Sequence, residues 1–205
     1  MNRYLAVLWL TLLPLLGNTQ SNSATDELIL ALEDMHQLQG SFLQQQFSEN
    51  DALLVESSGS FRLLRPGFFA WEIQVPDSQL VIATPEYVWH HDLDLDTVTR
   101  RPVSDSAQMS PLQVLGGDEA VLRERFSVAR EEAGVFTLTP VKGDPGFQRL
   151  TLQLDGNTVT GMEILDKLNQ RVVIAFDQLD AGAALTPADF AFQPPDGADL
   201  FYYDE

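Results

Sequence analysis

The chain has 205 residues, and the 44% that are hydrophobic indicate a folded domain with a sizeable core rather than a disordered protein. The formal net charge is −18, which disfavours nucleic acid and anionic lipid headgroups as primary partners and favours partners with a basic rim. The sequence contains no cysteine, so disulfides, thiol chemistry and a lipid attached to an N-terminal cysteine are excluded.

The first 23 residues have the pattern of a secretory leader. Arg3 supplies a short positive region, and an apolar run of about 13 residues extends from Tyr4 to Leu16. A membrane anchor is the alternative, but this run is shorter than the roughly 20 residues that a spanning helix needs. We therefore predict a cleaved signal peptide over 1–23, a single domain over 24–205, and export, most simply to a bacterial periplasm.

The first element predicted after the leader is an amphipathic helix. Thr25 can cap it, and Leu28, Leu32 and Met35 recur at i, i+4 and i+7 on one face. Gly40 is a reasonable residue for the end of the helix.

Strand patterns dominate the chain from that point. Short segments of alternating hydrophobicity are separated by turn residues, as is typical of antiparallel hairpins. The predicted strands, about eleven in all, are 41–48, 54–65, 69–75, 79–84, 87–91, 97–103, 126–130, 135–141, 147–154, 158–165 and 171–177.

Two short helices are predicted to interrupt the strands. The first starts with a serine cap and a proline in the first turn. Its residues Pro111, Leu112, Val114 and Leu115 are the predicted lid-helix residues. Asp118 can cap the second, which extends through Arg125. Both are too short to be stable alone, so we expect them to cover another surface.

These elements together predict a strongly curved antiparallel sheet. An unclosed half-barrel covered by short helices satisfies the alternation and gives the helices an apolar surface to lie on. A β-sandwich is the competing fold. Towards the C-terminus, Thr186 and Pro187 are expected to start one more helical turn, and 190–197 is expected to be extended.

One arginine shares a strand face with large apolar residues. Phe61 and Leu63 lie on the same face as Arg65 by the period-2 rule, and the next strand presents Phe69, Trp71 and Ile73 in the same way. A guanidinium keeps its charge and needs acceptors if it is buried. One hypothesis is an apolar cavity with a single charged latch; the other is an arginine at a strand end that reaches water.

The clearest metal pattern lies at residues 90–96, where His90 and His91 precede Asp92, Asp94 and Asp96. Adjacent strand residues point to opposite faces, so the two histidines are poorly placed to share one ion. The aspartates alternate as in a calcium loop but lack its glycine and terminal glutamate, and a polar hairpin turn explains them equally. We predict no metal and no other cofactor, and leave calcium as an open alternative.

Enzyme motifs are also missing from the sequence. It has no G-x-S-x-G elbow, no reactive thiol and no phosphate-binding glycine loop. Carboxylates are plentiful, so a periplasmic hydrolase that uses them remains an alternative. We predict that the chain is not an enzyme.

Several segments in order resemble the periplasmic outer-membrane lipoprotein carriers, the LolA family. The resemblance lies in residues 59–61, RPGFFAWE at 65–72, Pro76, YVWHHDLDLD at 87–96, SPL at 110–112, FTLTP at 136–140 and FAFQPPDGAD at 190–199. It implies an unclosed β-barrel with a helical lid and a hydrophobic cavity, in which Arg65 ties the lid shut and Phe69, Trp71 and Trp89 line the cavity.

The resemblance also implies a function. Such carriers bind the acyl chains of lipoproteins released by an inner-membrane ABC transporter and pass them to an outer-membrane receptor lipoprotein. Since the receptor carries a lipidated cysteine, the absence of cysteine favours a carrier, here expected to be a monomer. We expect the cavity to be lined by Phe61, Leu63, Phe69, Trp71, Ile73 and Trp89. A carrier or sensor of another lipid, such as a glycolipid or a fatty acid, is the alternative.

Overall fold

The computed structural model describes residues 20–33, 35–103, 114–115, 119–143 and 145–203. Two helices, twelve strands and one short 3-10 helix are assigned there: α1 (Gln20–Glu33), β1 (Gln37–Phe47), β2 (Leu53–Leu64), β3 (Phe68–Val75), β4 (Gln79–Ala83), β5 (Tyr87–Asp92), β6 (Thr97–Pro102), α2 (Glu119–Arg125), β7 (Phe126–Glu132), β8 (Val135–Pro140), β9 (Phe147–Asp155), β10 (Thr158–Asp166), β11 (Arg171–Asp180), the 3-10 helix (Pro187–Phe190) and β12 (Asp199–Tyr202).

All twelve strands belong to one sheet, in the order β12-β6-β5-β4-β3-β2-β1-β11-β10-β9-β8-β7. Neighbouring strands are antiparallel except β12, which runs parallel to β6. The two ends, β12 and β7, do not pair with each other, so the sheet is unclosed. The predicted fold class is therefore confirmed and the β-sandwich is excluded.

The strand prediction missed β12. This strand has only four residues, and its sequence Asp-Leu-Phe-Tyr lacks the alternation that marks a strand covered on one face. The predicted helical turn after Thr186 is present as the 3-10 helix, where the Asp189 carboxylate accepts hydrogen bonds from the Thr186 backbone N–H (2.7 Å) and hydroxyl (2.8 Å).

The prediction of the first helix was wrong at both ends. In the described residues α1 begins at Gln20, so Thr25 lies inside the helix and does not cap it. The helix ends at Glu33, and Gly40 lies within β1. A Cβ at Gly40 would lie 2.7 Å from the Asp177 carbonyl oxygen and 3.2 Å from Cε1 of Phe61. This glycine therefore permits a close approach of β1 to its neighbours rather than ending a helix.

One large hydrophobic cluster joins α1 to the sheet. Leu28 and Leu32 of α1 are fully buried, and they belong to the same cluster as Phe61 and Trp71. We call the face of the sheet that carries Phe61 and Trp71 the inner face. α1 also packs against β7 and α2. We call α1, α2 and the helical residues Val114 and Leu115 the cover.

A second, smaller cluster lies on the other face of the sheet, which we call the outer face. Ala70, Ile82 and Phe190 are buried there, and Phe190 brings the C-terminal segment onto the sheet. No helix in the described ranges has the length and apolar character to span a bilayer.

Candidate functional site

Arg65 lies just after β2, where the strand end meets the cover. Its Nε donates a hydrogen bond to the Leu115 carbonyl oxygen at 2.9 Å, and its Nη1 donates to the Leu32 carbonyl oxygen at 2.7 Å. The Arg65 backbone N–H donates to the His36 carbonyl oxygen at 2.9 Å. One side chain thus joins the sheet, the last turn of α1 and the helical pair at 114–115.

The electrostatics of this contact follow from burial and from the helix end. Burial lowers the pKa of the Arg65 guanidinium, and the Glu33 carboxylate opposes that shift. An arginine stays protonated at any physiological pH, so the group remains a cation. Its position at the C-terminal end of α1 is favourable, because free carbonyls and the negative end of the helix dipole both attract a cation there.

The structure brings five of the predicted cavity residues together on the inner face. Phe61 lies opposite Trp71, and Leu63 lies opposite Phe69, in the register of β2 and β3. Each of these four side chains is at least 96% buried. Ile73 is half-buried and packs against the same cluster.

Two aromatic residues extend this inner face beyond the six that were expected to line the cavity. Phe42 of β1 stacks on Trp71, with ring centroids 3.5 Å apart and planes inclined by 19°. Phe176 of β11 contacts Trp71 edge-on at 6.3 Å and Phe61 at 4.9 Å. The period-2 alternation within β1 and β11 could have identified both residues from the sequence. In β1, for example, Phe42 lies on the same strand face as Leu38.

The structure corrects the placement of Trp89. In the register of β4 and β5, Trp89 lies opposite Ile82, which is buried on the outer face. Its ring contacts Phe192, with centroids 5.3 Å apart. Trp89 therefore packs with the C-terminal segment and does not share a surface with Trp71.

The predicted cover residues are placed in part. Val114 and Leu115 are helical, and their side chains are buried in the inner-face cluster. Pro111 and Leu112 lie outside the described residues. In α2, Leu122 is buried in the same cluster.

Two ion pairs join the middle of α1 to α2 and β7. Arg123 of α2 contacts the Asp26 carboxylate at 2.6 Å, and Arg130 of β7 contacts the Glu27 carboxylate at 2.9 Å. These side chains are about half exposed, so solvent screens each pair and its contribution to stability is small. The cover is consequently held mainly by its apolar contacts and by Arg65.

The segment at 90–96 forms a hairpin turn. His91 is buried against Phe192, whereas His90 is exposed, as expected for neighbours on opposite faces. One carboxylate oxygen of Asp92 accepts the backbone N–H groups of Asp94 (3.1 Å) and Leu95 (3.0 Å). Among the residues that the structure describes, no group of three ligand-type side chains converges on a metal position.

The structure thus combines an unclosed sheet with an apolar inner face that helices cover. The family model described as outer membrane lipoprotein carrier protein LolA matches residues 33–193. The chain therefore belongs to the LolA family.

Its relatives share most of its length. The chain is 34% identical to the outer-membrane lipoprotein carrier protein of Alkalilimnicola ehrlichii over 191 residues, which cover 93% of this chain and 88% of the relative. It is 35% identical to the protein of the same name from Dechloromonas aromatica, with 92% and 91% covered.

Two solved structures share the fold. One is an uncharacterised conserved protein from Thermus thermophilus, with a TM-score of 0.52, 15% identity, and coverage of 86% of this chain and 98% of that one. The other is a putative outer membrane lipoprotein-sorting protein domain from Vibrio parahaemolyticus, with a TM-score of 0.52, 9% identity, and coverage of 83% and 97%. At these identities the likeness concerns the fold alone.

Proposed function

We propose that this protein is a periplasmic, non-enzymatic carrier that binds the acyl chains of lipoproteins against its inner face. The observation that carries the proposal is Arg65, whose guanidinium closes the cover over an otherwise apolar surface. Membership of the LolA family and the names of the relatives support lipoproteins as the cargo.

The energetic problem for such a carrier is the transfer of hydrocarbon through water. An acyl chain of about 16 carbons has about 15 methylenes, and at about 0.8 kcal/mol each roughly 12 kcal/mol opposes its departure from a membrane. A carrier must return most of this free energy by burying the chain. It must not return much more, because the cargo would then not be released.

The described structure corresponds to the closed state of this cycle. Phe61, Leu63 and Trp71 already pack against one another and against the cover, so a bound chain must displace part of the cover. This displacement breaks the hydrogen bonds from Arg65 to Leu32 and Leu115. The loaded state then lacks contacts that the empty state has, and this difference favours delivery.

The direction of transport forms the second part of the proposal. We propose that an inner-membrane ABC transporter supplies the lipoprotein and that an outer-membrane receptor lipoprotein accepts it. The net charge of −18 attracts partners with basic docking surfaces and disfavours self-association, in agreement with a monomer.

The test is the identity of the bound ligand. The protein is crosslinked in the periplasm of its native host and purified, and the attached molecules are identified by mass spectrometry. Triacylated peptides support the proposal. A different lipid would instead indicate a carrier of glycolipids or fatty acids on the same fold, and the recovery of no lipid from an efficiently crosslinked sample would contradict both.

A release assay tests the transport step separately. Spheroplasts that export lipoproteins are incubated with the purified protein, and released lipoprotein is measured in the supernatant. The expected result is release that depends on the protein and does not occur with the Trp71→Asp variant, which places a charge on the inner face. The matched control is Trp89→Asp, which places the same charge on the outer face.

A further inference from the structure

The strand β12 forms an open edge of the sheet. On one side Asp199–Tyr202 pairs in parallel with β6, and in the part of the chain described here no strand pairs with its other side. The opposite end of the sheet differs, because β7 is packed against α1. An uncovered edge offers unpaired backbone groups to another extended chain.

The backbone hydrogen bonds show which groups β12 offers. The Asp199 N–H donates to the Asp96 carbonyl oxygen at 3.0 Å, and the Tyr203 N–H donates to the Arg100 carbonyl oxygen at 3.0 Å. Alternate residues of a parallel strand direct their N–H and C=O groups to opposite sides. The N–H and C=O groups of Leu200 and Tyr202 therefore point away from β6.

The side chains of this edge are also unusual. Leu200, Phe201, Tyr202 and Tyr203 are consecutive, and they are 44%, 50%, 48% and 52% exposed. Soluble proteins commonly protect an edge with charged residues or proline. Here four large apolar or aromatic residues remain accessible on both faces of the strand, which is typical of an interaction surface.

The edge is held in place before any partner arrives. The Arg100 guanidinium lies 4.5 Å from the centre of the Tyr202 ring, and the Arg101 guanidinium lies 4.7 Å from the Tyr203 ring. Tyr202 also meets Trp89 edge-on, with centroids 6.2 Å apart. A strand that is already ordered loses little conformational entropy when it pairs with another.

The charges around β12 indicate the chemistry of the partner, because four carboxylates nearby in sequence outnumber the two guanidiniums of Arg100 and Arg101. Asp196 and Asp199 precede the apolar residues, and Asp204 and Glu205 follow them in the sequence. We propose that the β12 edge is a docking site for an extended segment of a basic protein, in which an apolar strand is flanked by lysine or arginine. The net charge of −18 disfavours a second copy of this chain as the occupant.

This docking site is separate from the lipid surface. It uses backbone groups of β12 and does not require the cover to open, so it is independent of the proposed carrier function. Peptide binding measured without any lipid tests it directly.

The probe is a synthetic peptide of alternating valine and threonine with two lysines at each end. Its affinity is measured by fluorescence anisotropy, and the contacted amides are located by NMR on the full-length protein. We expect the NMR signals of the Leu200 and Tyr202 N–H groups to shift, and we expect these N–H groups to exchange more slowly with solvent when the peptide is bound. We expect a peptide flanked by glutamates to bind at least about tenfold more weakly, since its charge matches that of the edge.

Two variants at one position separate backbone pairing from simple charge attraction. Leu200→Pro removes an outward N–H without removing a bond to β6, and about a tenfold loss of affinity is expected. Leu200→Lys repels the basic peptide and should also weaken binding about tenfold. Leu168→Lys adds the same charge at a leucine in the β10–β11 turn that is even more exposed (71% against 44% for Leu200), and the affinity of this variant should be unchanged within about twofold.

The proposal is overturned if Leu200→Pro binds the peptide as tightly as the unaltered protein does, because binding would then depend on charge attraction alone. It is also overturned if the glutamate-flanked peptide binds equally well, or if the perturbed amides lie away from β12. Retained contact between Tyr202 and Trp89 in Leu200→Pro, seen in the NMR spectrum, shows that the strand itself remains in place.

Discussion

Substitution of Arg65 by leucine is the most direct test of how the cover is held. The leucine side chain keeps an apolar group at the site but removes the side-chain hydrogen bonds to the Leu32 and Leu115 carbonyl oxygens. The Leu32 carbonyl oxygen still accepts the Met35 N–H at 3.2 Å, so it is not left without a donor. The change therefore loosens the cover without creating a severe defect in α1.

The magnitude follows from two opposing effects. A hydrogen bond from a charged donor contributes about 1.5–3 kcal/mol, so the two bonds give about 3–6 kcal/mol in favour of the closed state. Partial burial of the guanidinium costs part of this gain. We expect a net change of about 2 kcal/mol, which shifts the ratio of closed to open molecules about thirtyfold towards the open state.

Hydrogen exchange and a transfer assay together measure this effect. The amides near the cover, such as that of Met35, should exchange faster in Arg65→Leu by about the same factor. The variant should still load lipoprotein but should transfer it poorly to receptor-containing outer membranes, because the closed state no longer competes with cargo. Normal loading, normal transfer and unchanged exchange in the same preparation would show that the reasoning about Arg65 is wrong.

A matched control is available nearby in the sequence. Arg62 lies in β2, three residues before Arg65, and by the period-2 rule its side chain points to the opposite face, near Asp189 of the C-terminal segment. Arg62→Leu should leave exchange in the cover and lipoprotein transfer unchanged. Arg65→Lys should change exchange and transfer in the same direction as Arg65→Leu but less strongly. A single ammonium group does not reproduce the planar guanidinium, which donates to both carbonyl oxygens.

Three further predictions concern stability, measured by urea unfolding unless stated. Trp71→Ala should destabilise the protein by about 3–5 kcal/mol and abolish lipid loading, whereas Trp89→Ala, on the outer face, should leave loading intact. Gly40→Ala should cost about 1–3 kcal/mol, because its Cβ meets the backbone, while Gly182→Ala, whose Cβ would only touch a side-chain oxygen at 3.4 Å, should be nearly neutral. Hydrogen bonds from Thr186 lower the pKa of Asp189, so this carboxylate stabilises the fold at neutral pH. The destabilisation caused by Asp189→Ala should therefore be fully present above about pH 5. It should decrease as the pH falls below the ordinary aspartate pKa of 3.8 and disappear once the pH is below the lowered pKa of Asp189. A destabilisation that does not change with pH would contradict this reasoning.

The inner face was predictable because it depends on local alternation. Phe61, Leu63 and Trp71 lie on strands whose period is visible within a few residues, and the turn between the strands fixes their pairing. The acceptors of Arg65 were not predictable from the same pattern. Leu32 and Leu115 lie 33 and 50 residues away in sequence, and only the folded chain brings them to the guanidinium.

The misplaced residues show where local patterns fail. The sheet face on which Trp89 lies depends on the lengths of the intervening hairpins. A register shift of one residue places a side chain on the opposite face of the sheet. Gly40 has the residue type of a helix end, but its role is set by Asp177 and Phe61, which are distant in sequence. In both cases the deciding contact is tertiary.

The closed structure also explains how an empty carrier avoids exposing its own apolar surface. On the proposed function, lifting Val114 and Leu115 from the inner face costs about 1.5–3 kcal/mol for each side chain. Breaking the Arg65 contacts adds about 2 kcal/mol to this cost. The sum of about 5–8 kcal/mol opposes loading and offsets about half of the roughly 12 kcal/mol that burial of one acyl chain returns. Because the cover and the cargo compete for the same surface, affinity is held below the level at which release would become slow.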